Sequence, residues 1–221
     1  MILRKASKRS IVYSCKNFHY SQKPPALNGT AFSVFNDNNE WCGCIIYGSG
    51  ANPQIGTAYG LKQGQIFELV RMALNGKQES TSKALALSLK LLKKRCPTLK
   101  AVVSYADKGQ KHLGTIYQAT NWYYVGQTES SSTEFYYKGK WEHSRSIGAL
   151  KRNKGLDTSK LERRKASGKI KYMYPLYKEQ RDLFEKICKP YPKKLSIDGV
   201  KVAHHTTSMK EEAQYLPQCS N

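Results

Sequence analysis

Three consecutive stretches decide the class of fold: QIFELVRMAL at residues 65–74, STSKALALSLKLLKKR at 80–95 and KAVVSYAD at 100–107. The first and third are short apolar runs, which are typical of buried strands. Between them, a leucine stripe at Leu85, Leu89 and Leu92 predicts a helix, with a capping Ser or Thr at 80–82 and basic residues at its carboxyl end. A strand, a helix and a second strand in this order are typical of an α/β or α+β domain.

The flanking stretches predict further short elements. On the amino-terminal side we expect a short strand at Ile11–Tyr13 and a hairpin whose strands, 31–35 and 40–47, are joined by a turn. On the carboxyl-terminal side we expect helices at 112–119 and 179–189 and strands at 122–126 and 134–137. The predicted organisation is one mixed α/β domain over residues 1–150, a basic extension over 151–195 that packs on it, and a loose tail over 196–221.

The charge of the chain is strongly positive and unevenly placed. Thirty-seven Lys and Arg against sixteen Asp and Glu give a formal net charge of +21. Residues 1–23 hold six basic groups and no acid, residues 83–111 hold eight against one, and residues 151–194 hold fifteen against five. Solubility alone needs only a few net charges, so a polyanionic partner is indicated, and nucleic acid is favoured over an anionic membrane.

Several other classes of protein are not indicated. No stretch approaches the roughly 18 apolar residues of a membrane span, and the basic amino terminus has no apolar run behind it as a secretory signal would. The six cysteines form no CxxC pair, so a zinc site is not expected. We therefore expect a protein of the cytoplasm.

A few polar side chains are placed where chemistry is often found. Asp107 ends an apolar strand, His112 and Tyr117 follow it, and His19-Tyr20 precede a Pro-Pro break. Each also has an ordinary structural explanation: a carboxylate can form a turn, and a helical Tyr is often half-buried. Glu68 and Arg71, set into the first apolar strand, could likewise be a structural pair. Composition alone thus predicts an α/β domain that binds nucleic acid.

Longer motifs carry a resemblance to a known family. They are Val103–Asp107 continued by Gly109–Trp122, Phe67–Met72, Phe18–Ser21, Lys171–Leu176 and Pro190–Lys193. Together they resemble the Mom proteins of Mu-like bacteriophages over roughly residues 10–195. This resemblance implies a GNAT-like fold, in which two parallel strands splay apart and an acyl carrier meets its acceptor at the split. It also implies modification of adenine in phage DNA at its exocyclic amine with a carbamoylmethyl-type group, which blocks host restriction enzymes, in the cytoplasm of the host cell.

The same resemblance implies which residues form the site. The expected catalytic residues are His19, Tyr20, Arg71, Asp107 and Tyr117. The expected substrate-binding or cofactor-binding residues are Glu68, Ser104, Tyr105, His112 and Asn121. Asp107 could orient the amine or accept its proton, Tyr117 could protonate the leaving group, and Arg71 could hold a phosphate or carboxylate.

The group donor and a metal are less defined. The stretch Leu74–Ser82 lacks the glycine-rich loop with which GNAT enzymes hold the pyrophosphate of acetyl-CoA. The donor is therefore acetyl-CoA gripped differently, or another activated carrier such as an aminoacyl group. The resemblance also makes iron a candidate, with His19, Asp107 and Tyr117 as ligands, although one His and one carboxylate fall short of the usual ligand set.

DNA is the expected partner. The basic side chains expected to contact its phosphates are Arg163, Arg164, Lys165, Lys169 and Lys171. Two alternatives stay open: a non-catalytic nucleic-acid-binding protein of the same fold, and an acyltransferase that acts on protein or small molecules.

Overall fold

The computed structural model describes residues 1–50, 52–110, 112–128 and 132–192. In chain order its elements are β1 (Ile2–Lys5), α1 (Lys8–Phe18), β2 (Gly29–Phe35), β3 (Trp41–Gly48), β4 (Ile66–Leu74), α2 (Thr81–Arg95), β5 (Ala101–Asp107), α3 (Thr115–Gln118), β6 (Tyr123–Thr128), β7 (Thr133–Tyr137), β8 (Lys140–His143), α4 (Ser144–Lys154), β9 (Arg163–Lys165), β10 (Lys169–Pro175) and α5 (Lys178–Ile187). The mixed α/β class expected from the sequence is confirmed. The predicted loose tail, 196–221, lies outside the described residues.

A seven-stranded sheet forms the centre of the molecule, in the order β1-β2-β3-β4-β5-β10-β6. Every pairing in it is antiparallel except that of β4 with β5. The strand between β5 and β6 comes from beyond residue 150, so the sheet includes part of the predicted basic extension. The predicted division at residue 150 stays a prediction.

The parallel pair β4 and β5 is joined over only part of its length. Ile66, Phe67 and Glu68 pair with Ala101–Val103, and no pairing follows toward the carboxyl ends. From Leu69 onward β4 stays with β3, while β5 stays with β10. The two strands therefore part at the middle of the sheet, and the gap between them is open for a ligand.

Helices cover both faces of the sheet. On one face α2 buries Leu85, Leu89 and Leu92 against side chains such as Ile45 and Tyr47. On the other face α1 packs on β3 and β4. Because neighbouring strand residues point to opposite faces, β3 can supply Cys44 and Ile46 to the α1 side and Ile45 and Tyr47 to the α2 side. No helix in the described part of the chain is long and apolar enough to cross a membrane.

The predicted strand at Ile11–Tyr13 is wrong. These residues lie in α1, which buries Ile11, Ser14 and Cys15 on the sheet. Spacings of three and four residues place these three side chains on one helix face. Ser7 caps the helix by accepting a hydrogen bond from the backbone N–H of Ser10 over 3.1 Å. The cap and the buried stripe outweigh the local β preference of three β-branched or aromatic residues.

Beyond residue 128 the chain builds a small second layer. Strands β8-β7-β9 form a three-stranded sheet, and α4 contacts β7 and β8. An ion pair of 2.6 Å between Lys23 Nζ and Glu142 Oε2 joins β8 to the segment that follows α1. The small sheet and the end of α1 are thereby tied together. The predicted helix at 179–189 is confirmed as α5, which buries Phe184.

Candidate active site

A cavity of about 670 Å³ opens where β4 and β5 part, and we call it the split cavity. Its walls come from β4, the end of β5, α3 and the segment that follows α1. The predicted site residues that line it are His19, Tyr20, Glu68, Arg71, Tyr105, Asp107, His112, Tyr117 and Lys169. Side chains as far apart in the sequence as His19 and Lys169 are thus brought to one place.

A second cavity of about 690 Å³ lies next to the first, and we call it the small-sheet cavity. Its lining includes Thr128 of β6, Glu134 of β7, and His143 and Arg145 at the start of α4. Four residues line both cavities: Glu68, Tyr105, Asp107 and Lys169. The end of β5 therefore stands between two compartments, each large enough for a small organic molecule.

The Asp107 carboxylate is held at the boundary of the two cavities. Its Oδ1 accepts a hydrogen bond from the backbone N–H of Gly109 over 2.8 Å and one from Ser167 Oγ over 3.3 Å. Lys169, its neighbour in the β5–β10 register, also lines both cavities. Both of these bonds end on Oδ1, and Tyr20 also hydrogen-bonds the carboxylate, which still has room to accept an N–H from a substrate.

His19 enters the split cavity as a neutral imidazole. Burial, together with the smaller effects of the Arg71 charge and of His112, lowers its pKa from 6.5 to about 4. The backbone N–H of Ser21 donates to His19 Nδ1 over 3.1 Å. The neutral ring then carries its proton on Nε2, so His19 offers a hydrogen-bond donor at that atom.

Tyr20 stacks beside His19, with ring centroids 4.4 Å apart. Loss of water raises the pKa of the Tyr20 hydroxyl, and the negative charge of Asp107 raises it further. The hydroxyl consequently stays protonated near neutral pH and can donate toward the carboxylate.

The Tyr117 hydroxyl reaches the split from the side of α3. Ser104 Oγ donates to it over 2.8 Å and lies 3.2 Å from the carbonyl oxygen of Leu69. Burial raises the pKa of Tyr117, so its proton is retained at neutral pH. Because the phenol oxygen accepts from Ser104, its own proton remains available for donation into the cavity.

Arg71 supplies positive charge to the split cavity. Its Nη1 donates to the carbonyl oxygen of Val70 over 2.7 Å, but its Nε is buried and has no hydrogen-bond partner within the described residues. A buried N–H without a partner is costly, and an oxygen of a bound ligand would satisfy it. The geometry agrees with the expected role of Arg71 in holding an anionic or carbonyl group.

The structure does not support the expected iron. Among residues 1–50, 52–110, 112–128 and 132–192, no three His, Cys, Asp or Glu side chains gather as a ligand set. His19 Nδ1 accepts from Ser21, and Asp107 Oδ1 accepts from Gly109 and Ser167. These hydrogen bonds already engage the atoms that would bind the metal.

The amino terminus of α2, where GNAT enzymes hold a pyrophosphate, is occupied by the protein itself. Ser80 Oγ accepts from the backbone N–H of Lys83 over 3.2 Å. Immediately before it, Glu79 Oε1 accepts from the backbone N–H of Asp37 over 2.6 Å, which places two acidic residues beside the helix end. The Asp37 carboxylate is paired with the amino-terminal ammonium of Met1, so Glu79 is the acid that opposes a pyrophosphate here, in agreement with the missing glycine-rich loop.

Some expected residues lie outside the two cavities. Asn121 is exposed in the turn before β6, with a φ of +59°, and it lines neither cavity. Ser104 reaches the site only through Tyr117. Arg163, Arg164 and Lys165 form the exposed strand β9, where Arg164 Nε donates to Glu134 Oε2 over 2.8 Å.

The sequence did not mark the walls of the small-sheet cavity. Lys169 was expected only at DNA, yet it lines both cavities. Ser167, His143 and Arg145 were not singled out, because nothing in their local pattern separates them from ordinary loop and cap residues. Ser167 and Lys169 reach Asp107 through the pairing of β10 with β5, and His143 and Arg145 reach the cavity from the end of β8 and the start of α4.

Solved structures define the class of protein through its fold. A protein assigned as a phosphinothricin N-acetyltransferase superposes with a TM-score of 0.50 at 9% identity, over 80% of this chain and 99% of that one. A spermidine/spermine N-acetyltransferase of Vibrio cholerae gives 0.47 at 9% identity, over 79% and 94%. A GNAT family acetyltransferase of Elizabethkingia anophelis with acetyl-CoA bound gives 0.42 at 11%, over 79% and 97%. The chain has a GNAT-like fold, as expected.

The particular family follows from the sequence matches. The chain belongs to the Mom protein family, whose model matches residues 1–193. The methylcarbamoylase mom of Escherichia phage Mu is 30% identical over 138 residues, which are 61% of this chain and 56% of that protein. The match thus spans little more than half of that relative's length. The family expected from the sequence motifs is confirmed.

Proposed function

We propose that this protein is a DNA-modifying transferase that adds a carbamoylmethyl-type group to the exocyclic amine of adenine in phage DNA. The modified base would protect that DNA from host restriction enzymes in the cytoplasm of the infected cell. Membership of the Mom family and the methylcarbamoylase name of the Mu relative support this activity. The observation that carries it is the split cavity, which gathers His19, Tyr20, Arg71, Asp107 and Tyr117 at the parting of β4 and β5.

The proposed transfer requires mainly a proton acceptor and a proton donor. The adenine nitrogen forms a bond to the donor carbon and loses one proton, while the bond from that carbon to its carrier breaks. The Asp107 carboxylate would orient the amine and receive its proton. Tyr117, whose hydroxyl keeps its proton, is placed to give one to the departing carrier. His19 Nε2–H and Arg71 Nε–H supply donors for oxygen atoms of the reacting groups.

Two substrates need two compartments that meet at the reacting atoms, and the shared wall at Asp107 supports that arrangement. The GNAT-like fold makes a coenzyme A thioester one candidate donor. Glu79 beside the start of α2 argues against a pyrophosphate there, so an aminoacyl carrier is the other candidate. In either case Arg71 would hold an oxygen of the donor or of the acceptor phosphate.

The acceptor base must leave the DNA stack to reach this site. The adenine amine is paired inside a duplex, and Asp107 lies at the boundary of two cavities rather than on an open surface. We therefore propose that the enzyme acts on a flipped or unpaired adenine. The exposed basic strand β9, together with Lys169 and Lys171 of β10, would contact phosphates around it.

Mass spectrometry of nucleosides from DNA of cells that express the protein tests the proposal. We expect an adenosine species heavier than the normal one by the added group, and we expect Asp107→Asn to abolish it. Asp157→Asn is the matched control, because Asp157 is an exposed loop carboxylate that accepts only local hydrogen bonds from Ser159. Unmodified nucleosides from a folded wild-type protein with DNA and donor present would contradict the proposal. A nucleic-acid-binding protein without activity, or an acyltransferase of protein or small molecules, would then be the better description.

A further inference from the structure

The outer surface of β1 and α1 carries unpaired positive charge. Its exposed basic residues, which we call the α1 basic face, are Arg4, Lys5, Lys8, Arg9 and Lys16. No acidic residue precedes Asp37 in the sequence. Within the described part of the chain, none of these five side chains takes part in a salt bridge. Such a surface repels itself and is stabilised when a polyanion neutralises it.

A supported aromatic ring lies in the middle of this face. Tyr13 is 53% exposed, although an apolar ring surface of that size is usually covered. Phe18 and Trp41 contact it from below, with ring centroids 5.9 Å and 5.7 Å away. The ring is therefore held in place while one side of it meets solvent, which is the arrangement on which nucleic-acid bases stack.

The α1 basic face borders the proposed active site. Lys16 lies in the last turn of α1, and the residues directly after it, Phe18, His19 and Tyr20, line the split cavity. An α-helix rises about 1.5 Å per residue, so Tyr13 lies only about 9 Å along the axis from His19. On the other side of the cavities stand β9 and β10 with their own lysines and arginines. A nucleic-acid strand that placed a base in either cavity would pass between two positive surfaces.

We propose that the α1 basic face binds the backbone of the DNA substrate and that Tyr13 stacks on an unpaired base beside the site. This proposal deepens the proposed function and rests on it for the identity of the nucleic acid. An anionic membrane is the other polyanion that such a face could meet. A membrane-binding surface would expose several large apolar side chains, whereas those exposed on β1 and α1 are Ile2 and Tyr13. The combination of charge and a single ring favours DNA.

The first test removes charge. Lys8→Ala, Arg9→Ala and Lys16→Ala are combined, and binding to a short fluorescent duplex containing an unpaired adenine is measured at several salt concentrations. Each lost phosphate contact lowers the slope of log affinity against log salt by roughly 0.9, so we expect a decrease of up to about 2.7. When salt is raised from about 50 to 200 mM, the triple variant would then lose up to roughly 40-fold less affinity than the wild type loses.

A matched control removes the same charge elsewhere. Lys83→Ala, Lys90→Ala and Lys94→Ala take three exposed lysines from α2, which covers the opposite face of the sheet. We expect the control to keep the wild-type slope. Equal slopes for all three proteins would overturn the proposal, as would a triple variant that binds DNA normally but no longer binds vesicles containing anionic lipid.

The second test removes the ring. Base stacking on an aromatic side chain is independent of salt, so Tyr13→Ala should weaken binding roughly fivefold or more at every salt concentration without changing the slope. Tyr13→Phe keeps the ring and should bind as the wild type does. Thermal unfolding of both variants checks that loss of the contacts with Phe18 and Trp41 has not unfolded α1. If folded Tyr13→Ala binds normally, the stacking role is wrong.

Nucleoside mass spectrometry separates failure of this proposal from failure of the proposed function. A wild-type protein that modifies adenine while the α1 variants bind DNA normally would refute only the α1 basic face. A wild-type protein that binds DNA through α1 but modifies nothing would refute only the transferase.

Discussion

Replacing His19 with asparagine should remove part of the pH dependence of folding stability between pH 6.5 and about 4. In the folded protein burial lowers the pKa of His19 from 6.5 to about 4, with Arg71 and His112 acting in the same direction. Between these two values the unfolded chain binds a proton at this residue and the folded chain does not. Stability due to His19 is therefore complete above pH 6.5 and is lost progressively as the pH falls toward 4.

The size of the effect follows from the same two values. Each unit of pKa difference between the unfolded and folded protein corresponds to 1.36 kcal/mol, so the shift of His19 sets an upper limit of about 3.4 kcal/mol on its contribution to stability. His19 is only partly buried, and solvent screens its interaction with Arg71, so we expect roughly 1–2 kcal/mol. Asparagine cannot be protonated, but its side-chain oxygen can still accept from the backbone N–H of Ser21.

The assay is urea unfolding of wild type and His19→Asn at several pH values from 4 to 7. The free energy of unfolding of the wild type should fall more than that of the variant as the pH decreases. Other titrating groups, such as His143, contribute equally to both proteins and cancel in the difference. Two parallel curves would show that His19 titrates normally in the folded protein, and the assignment of a neutral imidazole to the split cavity would then be wrong.

Three further substitutions probe the core and the site. Phe184→Ala should destabilise the fold by roughly 3–5 kcal/mol in urea unfolding, because this side chain of α5 is fully buried. A loss below about 1 kcal/mol would contradict that packing. Gly114→Ala should lower the free energy of unfolding by roughly 2–4 kcal/mol, because a Cβ there would lie 2.4 Å from the Tyr172 ring and Gly114 has a φ of +77°. A neutral effect in thermal unfolding would refute the left-handed cap of α3. Tyr117→Phe should leave stability within about 1 kcal/mol, because the Ser104 hydroxyl can donate to the Leu69 carbonyl instead. It should nevertheless lower adenine modification roughly 100-fold or more by mass spectrometry, and full activity would exclude Tyr117 as the proton donor.

The centre of the fold could be predicted from the sequence because its signals are local. The leucine stripe of α2 and the apolar runs of β4 and β5 fixed those elements to within about a residue of their observed bounds. At the amino terminus the local residue types predicted a strand where the structure has the helix α1. Ile11 and its two successors favour a strand by type, whereas the helix depends on a buried polar side chain, Ser14, that no hydrophobic pattern marks.

The site was predictable only in part, for a related reason. Family motifs indicated the residues of the split cavity, and the structure places nearly all of them there. The small-sheet cavity is built by pairing across long sequence distances, as when Ser167 meets Asp107. The sequence pattern around Lys169 and Lys171 indicated surface charge, so the strand β10, which begins with these residues, was not predicted. Tertiary pairing of this kind leaves no periodic trace in a single sequence.

The position of β10 in the sheet has a consequence for the order in which the protein is made. Translation proceeds from the amino terminus, so β5 and β6 leave the ribosome while the strand that joins them, residues 169–175, is still to be synthesised. Until then each of the two strands has an unpaired edge open to other chains. Closure of the sheet is therefore a late event in biosynthesis, and a polypeptide that terminated near residue 150 would keep two aggregation-prone edges in place of a finished core.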